Sequence, residues 1–226
     1  MSNLAETDKL FFDSTEMDQG RVEKIISDAL NSADDGELYM EYGQSETIVL
    51  DDGQIKSASY DTSQGFGLRA VSGETTGFSH ASELSEVALK RAATTVKAVS
   101  RGHGGTMAEG PVGTNRSLYS DKNPLLSLSF EKKVDMLGQM DLYARSKDPR
   151  VKQVSASLSG EWQAIQIIRS IGERTADIRP LVRLNVSIVV EQDGRMENGS
   201  FGTGGREGFE AFVTQESWQG AIDEAL

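Results

Sequence analysis

The sequence predicts an α+β protein of mainly antiparallel sheets flanked by helices, and three observations carry that expectation. Apolar residues alternate with polar ones over several long stretches, the period of a half-buried strand. Asp-Gly and Ser-Gly turns join those stretches directly, so consecutive strands must reverse direction. Helical spacing brackets the strands rather than separating them, which argues against a parallel βαβ arrangement. The order helix, four strands, helix occurs twice, so two similar units are expected.

Residues 1–17 are polar and read as an N-terminal arm, with Phe11 and Phe12 available to pin it to the body or to a partner. Val22, Ile25, Ile26, Ala29 and Leu30 follow helical spacing, which predicts a helix over 18–33 that ends at Asp34-Asp35-Gly36. Leu38, Met40 and Tyr42 then alternate with polar residues, and Ile48 and Leu50 resume the same parity. Asp51-Asp52-Gly53 turns this strand into the next, from Ile55 to Tyr60. A hairpin follows, in which Phe66, Leu68 and Ala70 share one face and Gly67, Arg69 and Val71 the other, with Ser72-Gly73-Glu74 at the reversal. Ser82 is the expected N-cap of a second helix carrying Leu84, Val87, Ala88, Ala92, Val96 and Val99. This completes a first unit over 18–100.

Residues 101–128 are rich in glycine and read as a linker or crossover between units. The second unit, 129–226, begins with a helix over 129–147 marked by Phe130, Val134, Leu137, Met140 and Ala144. One strand is predicted through Val154, Ala156 and Leu158. Another is predicted through Trp162, Ala164, Gln166 and Ile168, with apolar residues on both faces. Val182, Leu184, Val186, Ile188 and Val190 give the clearest alternation in the chain, and Gln192-Asp193-Gly194 turns it back toward a strand from Met196 to Thr203. A last helix is expected from about Thr214, with Trp218, Ala221, Ile222 and Ala225 on its apolar face. Its periodicity reaches Leu226 without a cap, and the expectation is that this unit continues into a catalytic part beyond it.

Composition narrows the function classes. The net charge of −12 opposes bulk attraction to nucleic acid or to an anionic membrane surface. There is no cysteine, so disulfides and thiolate metal sites are excluded. No run approaches the roughly 20 apolar residues of a membrane-spanning helix, and the N-terminus lacks the pattern of a secretory signal. A cytoplasmic protein without membrane or nucleic-acid partners is expected.

Chemistry-bearing motifs are sparse. His80 and His103 are the two histidines, and neither has a second histidine at helical spacing, so no metal site is predicted. Nucleophile-elbow and phosphate-loop motifs are absent. Asp34-Asp35 and Asp51-Asp52 sit at turns, where carboxylates cap and solvate. The run Gly199 to Gly205 reads as a glycine-rich exit from a strand, with backbone anion binding as the sharper alternative. No catalytic residue is predicted.

Taken together, Glu37-Leu38-Tyr39-Met40-Glu41-Tyr42, Asp52-Gly53-Gln54-Ile55-Lys56, Gly65-Phe66-Gly67-Leu68-Arg69-Ala70-Val71-Ser72-Gly73 with Thr76-Gly77-Phe78, and Gly199-Ser200-Phe201-Gly202-Thr203-Gly204-Gly205 resemble the TldD branch of the TldD/PmbA family, also called modulators of DNA gyrase. The resemblance runs from about residue 20 to the end of the chain. It implies the N-terminal portion of a bacterial cytosolic zinc metalloprotease. In the family a TldD–PmbA heterodimer encloses a chamber, cuts unfolded peptides, matures peptide antibiotics and degrades antitoxins. The family's zinc is held by a His-Glu-x-x-x-His helix that follows the part matched here. No His-Glu pair occurs in this chain, so no zinc ligand transfers to any of its positions and it is expected to be inactive alone.

What the resemblance implies for these residues is chamber wall, subunit docking to a PmbA-like partner or a second copy, and contact with unfolded peptide. Strand addition is the expected mode of contact, at Gly65, Gly67 and Arg69 or at Gly202, Gly204 and Gly205. The alternative is a free-standing peptide-binding or assembly module without catalysis. A carboxylate hydrolase without zinc is a third reading.

Overall fold

The computed structural model describes residues 3–98 and 118–226. Six strands, β1 (Asp35–Asp51), β2 (Gln54–Ser72), β3 (Thr75–Ala81), β4 (Val151–Arg169), β5 (Arg174–Gln192) and β6 (Arg195–Gly205), form one antiparallel sheet. Their order is β3-β2-β1-β4-β5-β6, so β3 and β6 are the edges. The helices are α1 (Asn3–Asp8), α2 (Gln19–Leu30), α3 (Glu86–Lys97), α4 (Phe130–Lys147) and α5 (Gln215–Ala225). The α+β class and the antiparallel sheet agree with the sequence expectation.

Each group has three strands where four were expected. The polar run Asp61-Thr62-Ser63-Gln64 resembles a loop in sequence, but it lies in the middle of β2. Polarity costs nothing there, because residues 54–64 are exposed. Gly160 resembles a break between two strands, yet β4 runs through it. A Cβ at Gly160 would meet Leu125 and Phe209 at 2.7 Å, so this glycine makes room for packing rather than for a turn.

Local signals explain most boundaries. Asp52 and Gly53, with φ of 53° and 77°, form the two-residue turn between β1 and β2; Asp193 and Gly194, at 54° and 80°, do the same between β5 and β6. Positive φ at both central residues is the geometry that matches strand twist, and Asp-Gly reaches it with least strain. Helix α2 starts at Asp18, whose carboxylate accepts the Arg21 N–H at 2.8 Å. Thr214 caps α5 in the same way through Ser217, at 3.2 Å. The cap of α3 is Ser85, not Ser82: its hydroxyl accepts the Ala88 N–H at 3.2 Å. Leu84, expected inside the helix, is buried just ahead of it.

The expected N-terminal arm is structured. Asn3–Asp8 is helical and Lys9–Asp13 forms a π-helical turn that buries Phe11 and Phe12. Gln166 of β4 donates to Thr7 Oγ1 at 2.9 Å and to Asp8 Oδ1 at 2.8 Å, and Arg174 of β5 pairs with Asp8. The 101–128 crossover falls largely outside the described residues. From Leu118 onward the chain is irregular up to a short 3-10 turn at Pro124–Leu126, where Asn123 caps the Leu125 N–H at 3.0 Å.

Two compact units emerge, and they interleave along the chain. The first contains described residues of Met1–Gly43, Thr62–Arg116 and Gln163–Ile178; the second, those of Gln44–Asp61, Ser117–Trp162 and Arg179–Leu226. The expected units at 18–100 and 129–226 followed sequence order. Strand length explains the difference: at about 3.3 Å per residue a 19-residue strand such as β4 spans roughly 60 Å, and its residues enter both cores, Val154 and Leu158 one and Ile168 the other. In the first unit, α2 packs on α3, and Val22, Ile26, Leu38, Met40, Leu68 and Leu89 form part of the core. In the second, α4 packs on α5, with Leu137, Met140, Val154, Leu184, Val186 and Ile222 in the core.

The β1–β2 turn carries a pH-dependent contact. Asp51 accepts hydrogen bonds from Ser155 Oγ at 2.6 Å, Gln153 Nε2 at 2.9 Å and Lys56 Nζ at 3.2 Å. These donors, Ser155 foremost, hold its pKa down from the ordinary 3.8 to about 2. A depressed carboxylate stabilises the fold fully above its unfolded value and loses that contribution as pH falls through the folded one. The expected result is an acid loss of stability between about pH 4 and pH 2 whose slope is shallower in Asp51→Asn. Urea melts at stepped pH measure it, and an identical slope in both proteins contradicts the assignment.

Candidate functional site

Two features stand out from the burial pattern: a cleft in the first unit and a bare strand edge in the second. Alternation along β1 sends Leu38 and Met40 into the helix-covered core, so Tyr39 and Glu41 fall on the opposite face. Gly65, Gly67 and Arg69 alternate in the same way with the buried Phe66, Leu68 and Ala70. The β2–β3 register sets Gly67 opposite His80 and Arg69 opposite Phe78, which brings both β3 side chains to that same face. The result is a cleft of about 450 Å³ whose walls include Tyr39, Glu41, Gly65, Gly67, Phe78 and His80.

Its geometry depends on the glycines. A Cβ at Gly67 would meet the Phe78 ring at 3.0 Å, so the bare backbone is what lets that ring lie across β2. A Cβ at Gly65 would lie 2.7 Å from the Ala81 carbonyl oxygen. Phe78 stacks on His80 with ring centroids 5.7 Å apart and 27° between planes, and remains 60 % exposed. Tyr39 Oη donates to Glu41 Oε2 at 2.5 Å.

The bare edge lies on β2. Strand β3 pairs with it only from Phe66 to Ser72. Among the described residues, no strand covers the outer edge of residues 54–61. Exposed edges of this length are templates for another extended chain.

The second unit has a groove of about 410 Å³ lined by Ser155, Ser157, Arg183, Asn185, Ser187 and Phe201 among others. Arg183 Nε donates to Asn185 Oδ1 at 2.8 Å, and Asn185 Nδ2 to Ser157 Oγ at 3.3 Å. Gly202 lines this groove, and a Cβ there would meet Asn185 Oδ1 at 2.7 Å.

The residues expected to contact peptide therefore fall in different settings. Gly65 and Gly67 line the cleft. Gly67 and Arg69 are both paired with β3, so their ladder positions are already taken on that side. The Arg69 guanidinium is held by Glu37 at 2.8 and 3.1 Å, with Asp35 at 3.7 Å. Gly202, Gly204 and Gly205 lie on edge strand β6, in register with Asn185, Arg183 and Val182. A Cβ at Gly204 would run into the Val182 carbonyl oxygen, and one at Gly205 would touch the Phe212 ring at 3.2 Å, so packing accounts for both glycines. Tyr39, Glu41 and Phe78 entered the sequence reading only within longer motifs, and His80 only as a histidine without a metal-binding partner; none was expected to contact peptide. The signal was present in the Tyr39-x-Glu41 and Phe78-x-His80 spacing, which puts each pair on one strand face.

Sequence models of two domains match the chain: PmbA/TldA metallopeptidase domain 1 over residues 36–100 and the PmbA/TldA metallopeptidase central domain over residues 123–226. The chain belongs to the TldD/PmbA family. The Haemophilus influenzae protein named Metalloprotease TldD homolog is 42 % identical over 183 residues, covering 79 % of this chain and 38 % of the relative. Its namesake from Buchnera aphidicola subsp. Schizaphis graminum is 36 % identical over 187 residues, 82 % of this chain and 39 % of the relative. The chain thus spans less than half the length of the curated relatives it matches.

Among solved structures, TldE from Thermococcus kodakarensis superposes with a TM-score of 0.73 at 15 % identity, over 90 % of this chain and 46 % of that one. A Thermotoga maritima protein described as a candidate modulator of a DNA gyrase gives 0.74 at 16 % identity, over 92 % and 46 %. These two show the TldD/PmbA fold. The names of the curated relatives imply a metal ion. Among the described residues no group of three or more histidines, aspartates or glutamates could hold one, and His80 is stacked on Phe78. The described residues do not fit a metal centre.

Proposed function

We propose that this chain is the portion of a TldD-type metalloprotease that presents unfolded peptide to a catalytic part carried on other residues. In this reading the chain supplies chamber wall and a docking surface for a PmbA-like subunit or a second copy, while a zinc ion on the other residues activates water. Membership of the family and the metalloprotease names of its relatives support it. The observation that carries it is the bare edge of β2 over residues 54–61, exposed and, among the described residues, without a strand outside it.

An extended peptide added to that edge would satisfy main-chain donors and acceptors without reading side chains, which suits substrates of varied sequence. The test uses an unstructured labelled decapeptide and the 226-residue chain. N-methylation of alternate peptide amides should weaken binding at least about tenfold, since several main-chain hydrogen bonds at about 0.5–1.5 kcal/mol each are lost. Methylating the other set of amides should cost little, because those would point away from the edge. Equal affinity for all three peptides overturns strand addition.

A further inference from the structure

The cleft beside Phe78 has a chemistry that strand addition does not use. Its walls combine an exposed phenyl ring, the stacked His80 imidazole, Tyr39 and one carboxylate, Glu41. No lysine or arginine lines it. The nearest guanidinium on this face of β2, that of Arg69, is committed to Glu37 and Asp35. Glu41 Oε2 accepts the Tyr39 hydroxyl, while Oε1 has no partner among the described residues. A half-buried carboxylate with spare acceptor capacity between aromatic faces matches a cation on an apolar stem. The ammonium or guanidinium pairs with the carboxylate, and the stem lies on the rings.

We propose that this cleft takes the basic side chain, lysine or arginine, of an unfolded peptide, with Glu41 as its charge partner and Phe78 as the wall for its aliphatic stem. The proposal rests on the peptide-contact reading above and adds a preference to it. Gly67 helps set where the Phe78 ring rests, because a Cβ there would press on the ring at 3.0 Å. Charge favours the same occupant: a chain of net charge −12 attracts basic segments and repels acidic ones.

The test compares three labelled decapeptides that differ at one position, lysine, norleucine or glutamate, by fluorescence anisotropy on the 226-residue chain. The lysine peptide should bind about tenfold more tightly than the norleucine peptide, the equivalent of one charge-assisted contact. Glu41→Gln should erase that difference while leaving norleucine affinity within about twofold, and Phe78→Ala should weaken both, with circular dichroism confirming that each variant folds. Equal binding of the lysine and norleucine peptides to the wild-type chain, or a lysine preference that survives in Glu41→Gln, overturns the pocket but leaves strand addition standing. Failure of all three peptides to bind the wild-type chain removes both.

Discussion

Lys133→Ala is expected to lower the unfolding free energy by about 3–5 kcal/mol, the cost of stripping one partner from a buried ion pair. The side chain is 1 % exposed. Its ammonium donates to both oxygens of Glu46, at 2.8 and 3.0 Å, and to the Leu125 carbonyl at 3.1 Å. It also lies 4.8 Å from the centre of the Phe209 ring. Every donor is used, so burial is tolerated. Alanine leaves the Glu46 carboxylate desolvated and unpaired, and opens a gap beside Phe209. The double replacement Lys133→Met with Glu46→Gln should recover most of the loss, because an apolar stem and a neutral amide carry no desolvated charge. Both tryptophans, Trp162 and Trp218, belong to the same unit as Lys133, so urea melts followed by tryptophan fluorescence read the relevant transition. A loss below about 1 kcal/mol would show that Lys133 reaches water and that the pair is an ordinary surface one.

Phe11→Ala should cost a similar amount, about 3–5 kcal/mol, and should do so in the other unit. Phe11 is fully buried against the first core, although it precedes the first long helix in the chain. Truncating it removes a large apolar surface and leaves a cavity that the surrounding helices and strands cannot close. The transition seen by tryptophan fluorescence should move less than the one seen by far-ultraviolet circular dichroism, since no tryptophan lies in that unit. A melt indistinguishable from wild type would return residues 3–13 to the status of an arm.

These two residues also mark where sequence reasoning stopped. Helical spacing at 129–147 pointed to Phe130 as a core residue and left Lys133 unmentioned; the structure exposes the first and buries the second. Periodicity assigns a face by counting apolar residues, and a buried cation with its own carboxylate is invisible to that count. The partner, Glu46, is 87 positions away. The N-terminal segment failed for a related reason. Two phenylalanines in a polar run show no period, and the buried Thr7–Gln166 contact that anchors them spans 159 positions. The bare edge was anticipated as an idea but not in place. Its position depends on how far β3 extends along β2, which no local pattern encodes.

Local chemistry alone determined the α+β class, the antiparallel sense of the sheet, the Asp-Gly turns and the helices of both halves, because each is set by neighbours within a few residues. Tertiary structure decided that the long strands β1 and β4 each serve two cores, that Gly160 and Gly67 are spaces for rings from other elements, and that Tyr39, Glu41, Phe78 and His80 meet in one cleft. Those outcomes depend on strand length and pairing register, which bring together side chains remote in sequence.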